Sequence, residues 1–245
     1  MSGAPAPQAK PKIPWFWIMP IPIALLIGII IGMQIPTPAG SAEAPPAAIA
    51  QPGGSPDAAE AAPRKINVER READDPTAVG DINAPVTIVT YSDFQCGYCA
   101  KWANDTLPTI VQQYVDAGKV RIEYRDIMFF GENSRQSAEL AVAAGHQGKY
   151  QEFHDEIFAD GGTAKNADFS EAGIKALAAS LGVDHDQLVS DAGSKETSTL
   201  VQKNHDEAKE LGVTGTPTFL VNGTPLVGAQ PLEAFVKVID DELAG

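Results

Sequence analysis

Beyond residue 85 the apolar side chains recur with a period that switches between strand and helix. Val86-Thr-Ile-Val-Thr-Tyr91 is a β-branched run, and such residues fit a pleated, half-buried surface. It leads straight into Ser92-Asp-Phe-Gln-Cys-Gly-Tyr-Cys99, after which the pattern is helical to about Ala117. Pro108 predicts a kink or break in that helix, because proline lacks the N–H and its ring clashes with the preceding turn. Gly118 ends the element, and Val120-Arg-Ile-Glu-Tyr124 alternates as a second strand. Strand, helix and strand in this order predict a parallel pair joined by a right-handed crossover.

Helical signals then interrupt the sheet. Arg135 to His146 carries Ala138, Ala141 and Val142 on one face, and a shorter helix is expected from about Lys149 to Phe158. Ile174, Leu177, Ala178 and Leu181 repeat at helical spacing between a Ser170 cap and a Gly182 stop. Asp184 to Ala192 and Lys195 to Leu211 predict two more helices. The sheet resumes at Thr218-Phe-Leu-Val221, turns at Asn222-Gly223 and returns along Pro225-Leu-Val227; Asn-Gly is a strong two-residue hairpin signal. A last helix opens at Pro231, with Leu232, Phe235, Val236, Ile239 and Leu243 on one face. The expected order is βαβ, a helical insertion at about 134–211, then ββα.

The N-terminal quarter reads differently. Lys10 and Lys12 precede a largely apolar run from Ile13 to Ile35, long enough to cross a hydrocarbon core of roughly 30 Å as a helix. Pro14, Pro20 and Pro22 make its early turns irregular, and Trp15 and Trp17 lie where interfacial aromatics belong. No Lys or Arg follows until Arg64. Residues 1–12 are therefore expected in the cytoplasm, 13–35 as a transmembrane anchor, and everything beyond outside. A cleaved signal peptide competes, because Ala42-Glu43-Ala44 fits a small-x-small pattern. The run exceeds the usual apolar region of about 7–15 residues, which favours the anchor. Residues 36–63 are rich in Ala, Pro, Gly and Ser without periodicity and are expected to be a linker. That leaves 64–245 as the folded domain.

Charge narrows the partners. The formal net charge is −14, and Lys10 and Lys12 are the only charged side chains before residue 43, so the exported part is more acidic still. Such a surface repels phosphate backbones, which argues against nucleic acid.

Cysteine use points to the chemistry. The chain has two cysteines, Cys96 and Cys99, at a strand-to-helix junction. The first would lie near the helix start, where free N–H groups and the dipole favour an anion; such settings lower a thiol pKa from about 8.5 to between roughly 3.5 and 7.5. Each pKa unit is about 1.4 kcal/mol, or about 30 mV for a two-electron couple, so a stabilised thiolate makes the pair an oxidant. Gly97 and Tyr98 between them bring no positive charge. A purely structural disulfide of this span would close too small a loop to stabilise much. The nearest histidine, His146, is far from a zinc-ligand spacing. Covalent haem needs His after the second Cys, and Ala100 stands there. No metal and no cofactor is expected. Val213-Thr-Gly-Thr216-Pro217-Thr218 is a second signal, with Pro217 a candidate cis proline at a strand entry.

Tyr91-Ser-Asp-Phe-Gln-Cys-Gly-Tyr-Cys99, Tyr124-Arg-Asp126, Gly148-Lys-Tyr-Gln-Glu-Phe-His154 and Gly215-Thr-Pro217 together resemble the DsbA-like family of exported oxidoreductases, over roughly residues 78–245. The resemblance implies an α/β thioredoxin-like fold with an inserted helical domain. It implies Cys96 as exposed nucleophile, Cys99 as resolving cysteine and Pro217 as the cis proline facing them, with Thr216 offering its backbone to an extended substrate. It also implies exported cysteine-containing proteins as substrates and a quinone-linked membrane partner as reoxidant. Relatives often carry a buried acid six residues before the first cysteine, where this chain has Thr90. Proton transfer at Cys99 then falls to water or to another acid, Asp93 or Asp126. Gly97-Tyr98 and Thr216 resemble the corresponding residues of disulfide isomerases. A reductase or isomerase of the same fold, kept reduced by a membrane electron donor, is thus an alternative to the oxidase, as is a non-catalytic module binding extended chains.

Overall fold

Strand β2 (Val86–Ser92) and strand β3 (Val120–Asp126) are buried along their whole length and run parallel in register, from Val86 opposite Val120 to Ser92 opposite Asp126. The computed structural model describes residues 65–245, so the expected cytoplasmic tail, anchor and linker lie outside the described residues. No helix among those described is long and apolar enough to cross a membrane. Beyond β2 lies the antiparallel strand β4 (Thr218–Val221), then β5 (Thr224–Val227). Asn222 and Gly223 between them have φ of 44° and 83°, the paired positive values that a tight right-twisted hairpin needs. A two-residue strand, β1 (Ala78–Val79), adds antiparallel to β3 and completes the order β1-β3-β2-β4-β5. Two residues carry no periodicity, so β1 was not expected.

Alternate residues of each strand face opposite layers. Ile88, Ile122, Tyr124 and Phe219 belong to the main core, together with residues of α1 (Gly97–Asp105) and α8 (Leu232–Ala244). Trp102 of α1 meets Phe219 at 4.8 Å between ring centroids, and Phe235 of α8 meets Phe219 edge-on at 4.8 Å. The helix after the cysteines breaks at Thr106; α2 (Leu107–Ile110) and a π-helical turn (Val111–Val115) continue it. Pro108 cannot donate to the carbonyl of Asn104, and that missing bond ends α1.

The insertion consists of α3 (Glu132–His146), α4 (Tyr150–Phe158), α5 (Glu171–Leu181), α6 (His185–Ala192) and α7 (Lys195–Glu210). The Ser170 hydroxyl caps α5 by accepting from Gly173 N at 3.2 Å, and Gly182 ends it at φ 70°.

The other face of the sheet departs from the reading of alternation. Arg121, Glu123 and Arg125 occupy the polar positions of β3, which would ordinarily meet water, yet all three are buried. Residues 65–72 and α7 lie over them. Glu123 accepts from the N–H groups of Arg70 and Arg71 at 3.0 and 2.8 Å and pairs with Arg125 at 2.7 Å. Arg70 reaches Glu207 of α7 at 2.9 Å, and the Tyr91 hydroxyl donates to the same carboxylate at 2.7 Å. Burial alone would raise the Glu123 pKa. The Arg70 N–H, the Arg125 charge and the Arg71 N–H outweigh it and hold the carboxyl below its ordinary value.

Removing one partner of such a network strands the others in a poor solvent. Glu123→Ala is expected to cost about 3–5 kcal/mol in urea unfolding. Because the folded pKa is lowered, the stability that Glu123 contributes is present above the ordinary carboxylate range and is lost as pH falls through the folded value. The gap between wild type and variant should therefore narrow below about pH 4.

Candidate active site

The C-terminal end of β2 turns into α1 through a bend fixed by its own backbone: Cys96 N donates to Asp93 O at 2.9 Å, and Ala100 N to Cys96 O at 3.1 Å. Cys96 thereby becomes the N-cap residue of α1, with extended backbone and no side-chain cap bond. Its sulfur stands beside N–H groups that have no helical partner. Cys99 lies almost one turn deeper, 1% exposed against 7% for Cys96. The nucleophile implied by the resemblance is thus less exposed than expected. Both cysteines are free thiols. Gly97 and Tyr98 are exposed, Tyr98 by 68%.

The loop before β4 comes back over this junction. The Thr216–Pro217 bond is cis, and the Cys96 thiol donates to the Thr216 carbonyl at 3.4 Å. Residues 120 apart in sequence meet here.

The two thiols are driven in opposite directions. A hydrogen bond from Cys99 does most to lower the Cys96 pKa; burial opposes it, and the Thr216 side chain and the N–H groups of Cys99 and Tyr98 add to it, giving about 5. Burial pushes the Cys99 thiol well up, and the hydrogen bond to Cys96 raises it further, against a smaller lowering by the Ser92 hydroxyl. Only the interval between the lowered pKa and the ambient pH counts toward redox poise. At pH 7 a Cys96 pKa near 5 stabilises the reduced pair by about 3 kcal/mol, or about 60 mV.

Asp93 and Asp126 occupy different settings. Asp93 Oδ1 accepts from Gln95 N and the Ser134 hydroxyl, at 2.8 and 2.7 Å, and Oδ2 from Phe129 N and Phe130 N, at 2.7 and 3.3 Å. The Gln95 side chain donates to the Phe130 carbonyl and to Ser134. Burial raises the Asp93 pKa and these donors pull it down. Asp126 is 1% exposed and accepts from the Tyr150 hydroxyl at 2.8 Å through Oδ2 alone; Oδ1 is buried with no partner among the described residues. Ser92, which sequence reasoning did not single out, contacts Cys99 and pairs with Asp126 across the strands. The only signal for it was register: Ser92 and Asp126 each lie six residues after the first residue of their strands.

The Cys96 thiolate absorbance is expected to titrate near about 5. Thr216→Ala should raise that pKa, and Cys99→Ala should raise it more, since Cys99 contributes the largest lowering. A titration unmoved in Cys99→Ala would show that Thr216 and the helix-start N–H groups hold the thiolate without the second sulfur.

The thioredoxin family model matches residues 72–241. A Bacillus anthracis protein named probable disulfide bond formation protein D is 30% identical over 178 residues, which is 68% of this chain and 77% of that protein. A thioredoxin-like oxidoreductase from Silicibacter pomeroyi superposes with a TM-score of 0.60 at 29% identity, covering 73% of this chain and 99% of the other. Oxidised BdbD from Bacillus subtilis superposes with a TM-score of 0.62 at 23% identity, covering 69% and 93%, a likeness of fold. A cysteine pair at the end of β2, opposite a cis proline, is thus set in a fold and a sequence that agree, and the chain belongs to the thioredoxin family as a DsbA-like thiol–disulfide oxidoreductase.

Proposed function

We propose that the chain works as a disulfide oxidase on exported proteins, tethered by residues 13–35 with its catalytic domain on the extracytoplasmic side. The observation that carries the direction is the split between the thiols: a Cys96 pKa near 5 beside a Cys99 thiol pushed upward favours the reduced pair, and so makes the oxidised pair an electron acceptor. The name of the Bacillus anthracis relative, which refers to disulfide bond formation, supports the same direction.

In this reading a substrate thiolate attacks Cys96 of the Cys96–Cys99 disulfide. The S–S bond breaks, a mixed disulfide forms at Cys96, and the electron pair leaves on Cys99. A second substrate thiolate then attacks the substrate sulfur of the mixed disulfide, which closes the substrate disulfide and expels Cys96 as a stabilised thiolate. Thr216 and Pro217 position the extended substrate beside Cys96, by strand-like pairing to backbone groups. A quinone-linked membrane protein returns the pair to the disulfide. The reductase or isomerase reading keeps one supporting feature, the Gly97-Tyr98 and Thr216 residues.

Thiol alkylation in intact cells should find Cys96 and Cys99 mostly oxidised; a mostly reduced pair would favour the reductase. Cys99→Ser should accumulate mixed disulfides through Cys96, and Cys96→Ser few or none. Equal trapping by both would overturn the division of roles. The tether has its own check: a mature N-terminus at Glu43 or Pro45 would make residues 13–35 a signal peptide.

A further inference from the structure

Reoxidation requires Cys99 to lose its proton, because its thiol is buried and pushed well above the ordinary range. The groups beneath it differ in their capacity to take that proton. The Thr90 hydroxyl is buried without a partner but is no base. Asp93 has both oxygens committed to four donors, so protonating it would sacrifice bonds that hold two loops. Asp126 has one oxygen bonded to Tyr150 and the other uncommitted and buried. It is the register partner of Ser92 on the adjacent parallel strand, at the usual spacing of about 4.8 Å, with both side chains on the same face of the sheet. The Ser92 hydroxyl in turn contacts the Cys99 sulfur.

We propose that Asp126 is the proton reservoir for Cys99, exchanging the proton through the Ser92 hydroxyl. The assignment rests on the thiol–disulfide reading above. In reoxidation, Cys96 thiolate attacks a partner disulfide, forming a mixed disulfide and releasing one partner thiolate. The Asp126 carboxylate accepts a proton from Ser92 as Ser92 accepts the proton of Cys99. The Cys99 thiolate then attacks Cys96 Sγ, closes the Cys96–Cys99 bond and expels the second partner thiolate. Two electrons pass to the partner and one proton stays on Asp126. When a substrate reduces the pair, the same proton returns to the thiolate leaving on Cys99.

The setting suits both directions. Burial raises the Asp126 pKa to about 7; the Tyr150 hydroxyl and Arg125 work against the rise, and the Asp93 charge adds to it. The remaining groups facing this corner are Tyr124 and Tyr150, whose hydroxyls burial pushes far up, and His154, which burial keeps toward the neutral form. Asp75 approaches Arg125 at 3.6 Å and Glu123 pairs with it, so Arg125 is largely neutralised before its charge reaches Asp126.

A chromogenic aryl disulfide offered to the reduced full-length protein separates the two steps. Cys96 releases the first coloured thiolate and Cys99 the second. Asp126→Asn should lower the ratio of second to first rate at least about tenfold and abolish an inflection near pH 7 in the second step. Ser92→Ala should do the same, Ser92→Thr should restore the ratio, and the double variant should be no slower than the slower single. Misfolding is a separable outcome. The raised folded pKa of Asp126 means that its ionisation weakens the fold as pH rises from the unfolded carboxylate range toward 7, so Asp126→Asn should be at least as stable as wild type at about pH 8. An unchanged ratio in either Asp126→Asn or Ser92→Ala, a retained inflection, or equal slowing of both releases would overturn the relay. Absence of a second release in the wild type would instead overturn the cysteine reading itself.

Discussion

Asp93 sits where two chain connections meet at the reactive end of the sheet. Its carbonyl holds the Cys96 N–H, while its carboxylate gathers Gln95 N, the Ser134 hydroxyl, Phe129 N and Phe130 N. Hydrogen bonds to a charged group are worth about 1.5–3 kcal/mol each, and these join the β2–α1 bend to the β3–α3 loop. The bend makes Cys96 the N-cap of α1, and the loop presents Phe130, 51% exposed. That clamp fixes both the thiol's place at the helix start and the position of the β3–α3 loop relative to the bend.

The opposite pKa shifts of Cys96 and Cys99 have a common root. One hydrogen bond between the sulfurs lowers the first and raises the second, so the Cys96 thiolate loses its largest single support when Cys99 gives up its proton. The thiolate is the nucleophile, and the pair therefore presents one ready sulfur and one held back. Depth completes the arrangement, since burial penalises a charge on Cys99 most.

The back of the sheet solves a different problem. Residues 65–72 cross it, with Ile66 N donating to Gly223 O at 3.0 Å and Arg70 bound to Glu207. Buried ion pairs seldom add net stability over an apolar packing, yet breaking one is costly. Here the ions fasten the chain's entry segment and α7 to the face opposite α1. The cysteine face is thereby left free of the segment that leads toward the N-terminus.

Elements set by local physics were legible in the residues alone. The β-branched run of β2, the Asn222-Gly223 hairpin, the Ser170 and Gly182 bounds of α5 and the apolar stripe of α8 all depend on backbone preference and periodicity within one segment. The cysteine pair at a strand-to-helix junction was equally plain, because spacing and local order sufficed. Tertiary structure decided whatever depends on register or on a covering layer. Alternation was read over Val120–Tyr124, with Arg121 and Glu123 at its polar positions, and only the segment laid over them turned these residues and Arg125 into a buried ion network. Asp93 and Asp126 were equivalent candidates in the sequence. Gln95 N from the same bend and three donors far along the chain, Phe129 N, Phe130 N and the Ser134 hydroxyl, occupy one of them, and a strand register sets the other beside Ser92. A side chain's type and spacing define what it can do, but hydrogen-bond partners far along the chain decide which of its capacities is left free.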